Sequence, residues 1–410
     1  MKKVLLTIIV GLFCMANSYA QVKTDSTKKI FNRVEVDDSV NQTNQDAIYA
    51  RPFIGVGRSK TAVGGYLEAN TNYFMEDGVS EGFSMELRRF NIFLYSAIGK
   101  RIKLLSELEF EHGTEEIALE TALIDFEFHP AFNFRGGIIL PQIGMFNANH
   151  DSPKWEVIDR PLVSTTLIPS TLSEVGFGAF GKFYPGNNIL TYDFYVVNGL
   201  QDGIILNEDG RTSIPNGKSQ EMFGEDNNGT PMLNGRVAFA NRKIGEFGLS
   251  YYGGIYNSFA LEGEQIDKKR SLAIMAFDFS ISVKKFVLQG EVAAASIEVP
   301  KELDQFYGTQ QWGGFVELIY PIFERKMLGF EESVIRVAAR VEYVDYNMGS
   351  FDTYDQKIGE DVFALVFGFS YTPIPGTKIK ANYRRHLTKD ILGNPPVILG
   401  GFQFGVATYF

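Results

Sequence analysis

The chain has 410 residues, with 39 Lys and Arg against 49 Asp and Glu, 14% aromatic residues, 41 glycines and a single cysteine. A formal charge of −10 argues against a nucleic-acid partner and against a basic membrane-surface protein. One cysteine leaves no disulfide framework and no thiolate metal centre.

The first residues read "MKKVLLTIIVGLFCMANSYAQ". Lys2 and Lys3 precede an apolar run over 4–13, and Ser18, Tyr19 and Ala20 form a small-residue cleavage site before Gln21. This pattern predicts a signal peptide over residues 1–20, too short to span a bilayer as a helix. Cys14 follows Phe13, which is too bulky for a lipidation site. Beyond Lys2 and Lys3 the balance is 37 basic against 49 acidic residues, a charge of −12. No later stretch approaches the ~18 apolar residues that a membrane helix requires. Residues 21–50 are polar and weakly periodic, and predict a flexible periplasmic segment ahead of a domain over 51–410.

From there a two-residue alternation of apolar and polar side chains recurs to the last residue, the mark of extended strands. The segments are 62–74, 83–98, 101–111, 115–128, 131–140, 173–184, 188–198, 233–242, 244–256, 270–282, 285–298, 309–320, 332–345, 361–372, 376–387 and 396–410. Strands this long are unusual in a soluble sandwich and suit a tilted crossing of a bilayer. Connections 141–172, 199–232, 257–269, 299–308 and 346–360 are long, and "MEDGVSEG" is longer than its neighbour "GK". Most of the connections between them are short, as in "PGN", Lys243, "VKK" and "PIPG". That parity predicts an all-β fold, a transmembrane up-and-down antiparallel β-barrel of about sixteen strands with short periplasmic turns and long extracellular loops. The last segment puts Phe402, Phe404, Val406, Thr408 and Phe410 on one face. Its terminal aromatic resembles the C-terminal signature of barrels in the outer membrane of Gram-negative bacteria. The expected location is that membrane, with its lipid as one partner.

Each strand then has a lipid face and a lumen face. In "ESVIRVAARVEY" (332–343), Ile335, Val337, Ala339, Val341 and Tyr343 alternate with Val334, Arg336, Ala338, Arg340 and Glu342. A charge facing lipid at the bilayer midplane costs about 2–4 kcal/mol, so Arg336, Arg340 and Glu342 are expected to look inward. A turn over 99–101 pairs Ile98 with Ile102, Ile92 with Leu108 and Phe90 with Phe110 outside. The same register puts Arg89, Asn91 and Phe93 inside with Glu107, Glu109 and Glu111. Such cross-strand charge pairs contribute about 0.2–1 kcal/mol each and fix register more than they stabilise. Thr191 and Asp193 look inward by parity, as do Lys378, Lys380, Asn382, Arg384 and His386. Glu120 shares the parity of the outward Ile124, Phe126 and Phe128, which predicts a position near a rim. The lumen thus acquires an acidic arc (Glu107, Glu109, Glu111, Asp125, Glu127) and a basic one (Arg336, Arg340, Lys378, Lys380, Arg384), with Arg89 and Arg135 also lining it. A barrel of about sixteen strands is wide enough to leave an aqueous channel, and ladders of charge in such a channel set ion preference.

The connection 141–172 carries four prolines, Pro141, Pro153, Pro161 and Pro169, and is too apolar to lie free in water. Long loops of this kind are usually functional. It is expected to fold into the barrel and narrow it, with Asn147, Asn149, His150, Asp151, Lys154, Asp159 and Arg160 closest to a passing solute. The alternative is a loop packed on the rim or on a neighbouring subunit.

The runs "FSMELRRFNIFLYSAIGKRIKLLSELEFE", "ALIDFEFHPAFNFRGGIILPQIGMF", "IDRPL" and "SEVGFGAFGKFY" resemble the phosphate-selective porin O and P family of bacterial outer-membrane porins. The likeness covers roughly residues 83–200 and is carried by Arg88, Arg89, Asp125 and the Phe132, Asn133, Phe134, Arg135 run. It implies a sixteen-stranded homotrimer whose lysine- and arginine-lined channel passes anions. The chain departs from the family in "GGIILPQIG" and in its acidic arc.

His112, His129, His150 and His386 lie in different turns or strands without ligand spacing, so no metal and no cofactor is expected. His129 sits in a tight turn and reads as structural. "GVGRSKTAVGG" enters a strand rather than a helix, which argues against a phosphate cradle. "EDNNGT" (225–230) offers Asp226, Asn227 and Asn228 to calcium or is a solvated loop tip. The expected function is a non-enzymatic porin passing small polar solutes by diffusion, with anion preference. Alternatives are a lipase-like outer-membrane enzyme and a structural or adhesion barrel with a blocked lumen. An inner-membrane-driven receptor would need a plug domain larger than the residues ahead of the first strand.

Overall fold

The structure is a computed structural model that describes residues 42–54, 60–303, 305–352 and 357–410. The predicted signal peptide lies outside them. Sixteen strands close into one antiparallel barrel. In chain order they are β1 (Thr61–Glu76), β2 (Val79–Ile98), β3 (Ile102–Glu111), β4 (Glu116–His129), β5 (Phe132–Ile139), β6 (Glu174–Phe183), β7 (Asn188–Val197), β8 (Met232–Asn241) and β9 (Gly245–Ile255). A small ribbon, β10 (Ala260–Leu261) and β11 (Glu264–Gln265), interrupts them within a loop. The barrel continues with β12 (Ser271–Val283), β13 (Phe286–Ile297), β14 (Gln310–Glu324), β15 (Val334–Asp345), β16 (Asp361–Thr372), β17 (Thr377–Thr388) and β18 (Val397–Tyr409). Every segment marked by alternation is a barrel strand.

Closure comes from β1 against β18, with Tyr66 opposite Tyr409. The Phe410 amide donates to the Gly65 carbonyl at 3.0 Å, and its ring stacks on Phe90 at 5.5 Å. A closed barrel has no open edge, the condition under which strands can sit in hydrocarbon. Between β2 and β3, Phe90 faces Phe110, Asn91 faces Glu109 and Phe93 faces Glu107, as the alternation requires. On the outer surface Val341, Phe367, Phe402 and Phe404 are exposed. Phe126, Phe128, Phe132, Phe134 and Phe177 form a run of ring contacts there. This apolar belt faces lipid.

Three expectations are corrected. Glu120 is not an outward residue at a rim: a bulge pairs Glu107 with Thr121 and Leu108 with Leu119, leaving Glu120 as the extra residue. The bulge resets the parity and turns Glu120 inward, where it is buried. The connection in "MEDGVSEG" is a two-residue turn, Asp77 and Gly78 at φ 47° and 87°, because both strands run on past the expected ends.

The largest correction concerns the lead-in. Residues 42–51, the described end of the 21–50 segment and the residue after it, are packed inside the barrel. They form a short 3-10 turn, Asn44–Asp46, and bury Gln45, Ile48 and Arg51. The amide of Gln45 donates to Asp193 at 2.8 Å and the Tyr49 hydroxyl to Asp125 at 2.7 Å. Asn44 reaches Glu246, and Lys182 holds Asp46. Glu246 and Lys182 lie near the short-turn ends of β9 and β6, so residues 42–54 occupy that mouth of the lumen. Polar residues look solvated in sequence because these barrel partners are 76 to 202 positions away.

Candidate functional site, the closed lumen

Residues 140–173, between β5 and β6, enter the barrel and cross it. On one wall, Gln142 exchanges hydrogen bonds with Asn234, the Gly144 amide reaches Ser250, and the Met145 amide and Ser164 hydroxyl donate to Glu291 at 2.7 Å each. Gly144 has φ 63°, and a Cβ there would lie 2.1 Å from a Glu291 carboxylate oxygen, so the close approach needs glycine. On the other wall, the Leu162 amide donates to Glu342 at 2.6 Å and the Ile158 amide to Asn382 at 3.2 Å. Helix α1 (Leu162–Thr166) lies between the two.

The predicted basic arc does face inward, and it does not line an open passage. Arg340 pairs with Glu317 at 2.6 Å and donates to the Asp159 carbonyl; Lys378 pairs with Glu156 at 2.7 Å. Lys380 is buried on the Ser152 and Val157 carbonyls, and Arg384 and Arg88 both hold Asp159. Only Arg336, 3.9 Å from Glu156, keeps a side chain about 29% exposed. These cations are ligands of the inward loop. The acidic arc is bound in the same way. Arg89 engages Glu68, Glu109 and Glu111, Arg135 forks onto Asp125 with two 2.7 Å bonds, and Lys103 pairs with Glu127. Arg135, Arg340 and Lys380 are each 2% exposed, which an open water-filled barrel would not allow. The expected open channel along the ladders is corrected.

Apolar packing completes the closure. Ile143, Phe146, Trp155, Val163, Leu167 and Ile168 of the loop meet Leu200, Ile204, Ile214 and Met222 of the next long connection, 198–231. Both pack on Val197, Met232, Leu272, Ile297 and Val344, at the loop-side ends of their strands. Each such buried side chain contributes about 1.5–3 kcal/mol. Inward parity predicts these positions, but polar lining was expected there.

At the centre Arg51 forks onto Asp151, with bonds of 2.9 and 3.0 Å, and reaches Glu107 at 3.3 Å. Tyr409 donates to Asp151 at 2.6 Å, and Lys154 reaches the Ala47 carbonyl at 2.9 Å. One guanidinium therefore ties the N-terminal segment to the inward loop and to β3. Glu107, His150 and Asp151 bring ligand-type atoms within 4.8 Å of one another, a cluster that sequence spacing did not show. Arg51 and Lys154 already offset both carboxylates, so the cluster is charge-balanced without an ion.

Of the residues expected nearest a solute, Asn147, His150 and Asp151 are buried. Asn147 pins the two ends of the loop through the Pro141 carbonyl and the Leu172 backbone. Asn149 accepts from the Trp155 indole through its carbonyl. Arg160 borders a cavity of about 250 Å³ with Lys218, Ser170 and Glu120. His129 accepts from the Ala131 amide in its turn. Asp226 accepts from the Asn228 and Gly229 amides, and the Asn227 and Asn228 side chains donate to the Tyr256 and Ile255 carbonyls.

A closed, even-numbered antiparallel barrel with a lipid-facing belt, tight turns at one end and an inward loop from the other defines an outer-membrane β-barrel. No family model matches the chain. An uncharacterized protein of Aquifex aeolicus (strain VF5) is 25% identical over 376 residues, 83% of this chain and 81% of that protein. Among solved structures, the anion-selective porin from Comamonas acidovorans is similar at a TM-score of 0.53 and 11% identity, over 86% of this chain and 100% of that one. The outer membrane channel DcaP of Acinetobacter baumannii gives 0.52 and 11%, over 86% and 99%. The outer membrane protein OmpT of Vibrio cholerae, in its trimer form, gives 0.50 and 10%, over 86% and 100%. The likeness is one of fold, and with the apolar belt it sets the chain in the Gram-negative outer membrane.

Proposed function

We propose that the protein is an outer-membrane diffusion channel for small polar solutes, that it catalyses no reaction, and that the conformation described is its closed state. The carrying observation is the Arg51 junction, where a short segment entering from the turn side is latched to a loop entering from the other side. A barrel of sixteen strands has room for water once both withdraw. Withdrawal would bare Arg340, Lys378, Lys380 and Arg384 along one wall, which supports anion preference. The anion selectivity named for the Comamonas porin is in keeping with that. Phosphate as the particular anion, and a homotrimer as the assembly, rest on the sequence resemblance and on the trimer form of the Vibrio protein.

The packed lumen favours one rival, a structural barrel that never conducts. Planar-bilayer recording of the refolded protein decides between them, beside a variant lacking residues 42–54. Rare openings in the full chain and long-lived steps in the variant are expected. Silence from both would remove the channel and leave the structural barrel.

A further inference from the structure

The lumen is not filled everywhere. A cavity of about 250 Å³ remains between the inward loop, the 198–231 connection and the β3–β4 wall. Drug-sized pockets run from about 300 to 1,000 Å³, so this space suits a molecule of amino-acid size. Its loop side carries Arg160 and Lys218, which form no ion pair within 4 Å among the described residues. The Arg160 Nη2 is buried without a hydrogen-bond partner. Lys218 makes one long contact, 3.4 Å to the Thr171 carbonyl. Ser170, 7% exposed, has a hydroxyl that also finds no partner. A buried polar group left unpaired costs about 1–3 kcal/mol, so the Arg160 Nη2 and Ser170 hydroxyl on one cavity, with the exposed Lys218 ammonium beside them, point to an occupant that accepts hydrogen bonds.

The wall side has the opposite character. Glu116, exposed at the start of β4, makes no ion pair among the described residues. Glu120 is held by the hydroxyls of Thr171 and Ser173, at 2.8 and 3.1 Å, and forms no ion pair within 4 Å among the described residues. Glu111 shares Arg89 with Glu68 and Glu109. A plain anion would meet these carboxylates, and a plain cation would meet Arg160 and Lys218. A molecule bearing both signs satisfies both sides.

We propose that this cavity binds a small zwitterion, its anionic group on Arg160, Lys218 and Ser170 and its ammonium on Glu116 and Glu120. As a stopping point on a permeation route it rests on the diffusion-channel assignment above. Isothermal titration of the detergent-folded full chain tests it without any need for conductance. L-glutamine serves as the zwitterion, with succinate and putrescine as the single-sign comparisons.

One saturable site for L-glutamine is expected, weaker by about tenfold or more in Arg160→Gln and in Glu116→Gln, each of which removes a charge-assisted hydrogen bond. Succinate and putrescine should bind less tightly than L-glutamine. Neither residue holds another element in place, so an unfolding midpoint close to that of the natural protein would show that the variants are folded. Absence of saturable L-glutamine binding, an affinity in either variant equal to that of the natural protein, or tighter binding of either comparison would overturn the proposal. Binding by a protein silent in bilayers would remove the channel alone. Conductance without binding would remove the site alone.

Discussion

Arg51→Gln is expected to raise the open-to-closed ratio about a hundredfold, read as open probability in planar bilayers. Arg51 is 3% exposed and satisfies two buried carboxylates, Asp151 on the loop and Glu107 on β3. Removing one partner of a buried ion pair costs about 3–5 kcal/mol, because the other charge is stranded. In the closed state Gln restores a hydrogen bond without the charge, whereas in an open state water reaches both acids. A differential of about 3 kcal/mol between the states corresponds to roughly a hundredfold shift in population. An open probability equal to that of the natural protein would show that Arg51 does not latch the segment.

The second large effect belongs to the other end of the loop. Glu156→Gln combined with Asp159→Asn removes the acids that neutralise Lys378, Arg384 and Arg88. Buried Lys378 is then left on the Lys154 carbonyl, at a cost of about 3–5 kcal/mol for that broken buried pair, and the half-buried Arg384 and Arg88 lose Asp159 at smaller cost. The loop should leave the β15–β17 wall, and that wall then presents Arg336, Arg340, Lys378, Lys380 and Arg384 to water. Steady conductance is expected, with a reversal potential in a salt gradient displaced toward the anion limit. A displacement toward the cation limit would mean that the Glu109 and Glu111 side of the lumen governs passage instead.

The barrel itself was legible in the sequence because each strand encodes its own geometry: parity, turn chemistry and the aversion of charge for lipid are local. Arg336, Arg340, Lys378, Lys380 and Arg384 were placed on the lumen side by that argument, and they lie there. Their partners were not legible. Glu156 and Asp159 meet β17 across more than two hundred residues, and Arg51 meets Asp151 across a hundred. A charge ladder facing a lumen looks the same in sequence whether water or a loop covers it.

Three local signals did point to a filled interior. Inward positions at the loop-side ends of the strands are apolar (Val197, Met232, Leu272, Ile297, Val344), which a wet lumen would not favour. Glu120 broke the parity of its strand, and the break marks the bulge that turns it toward Thr171 and Ser173. Ile48 is the third, an apolar residue in a polar stretch, buried to 1% inside the barrel.

Modification of a cysteine placed at Ile48 by a membrane-impermeant maleimide reports most directly on what fills the turn-side mouth of the barrel. Cys14 is the one cysteine of the sequence, so in a Cys14→Ser background a single substitution gives a clean signal. In folded Ile48→Cys the thiol should stay unlabelled while a Leu392→Cys control in an exposed loop is modified at once, and adding Arg51→Gln should expose it. Equal labelling of the two sites without that second change would mean that the lumen stands open and that its own chain does not close it.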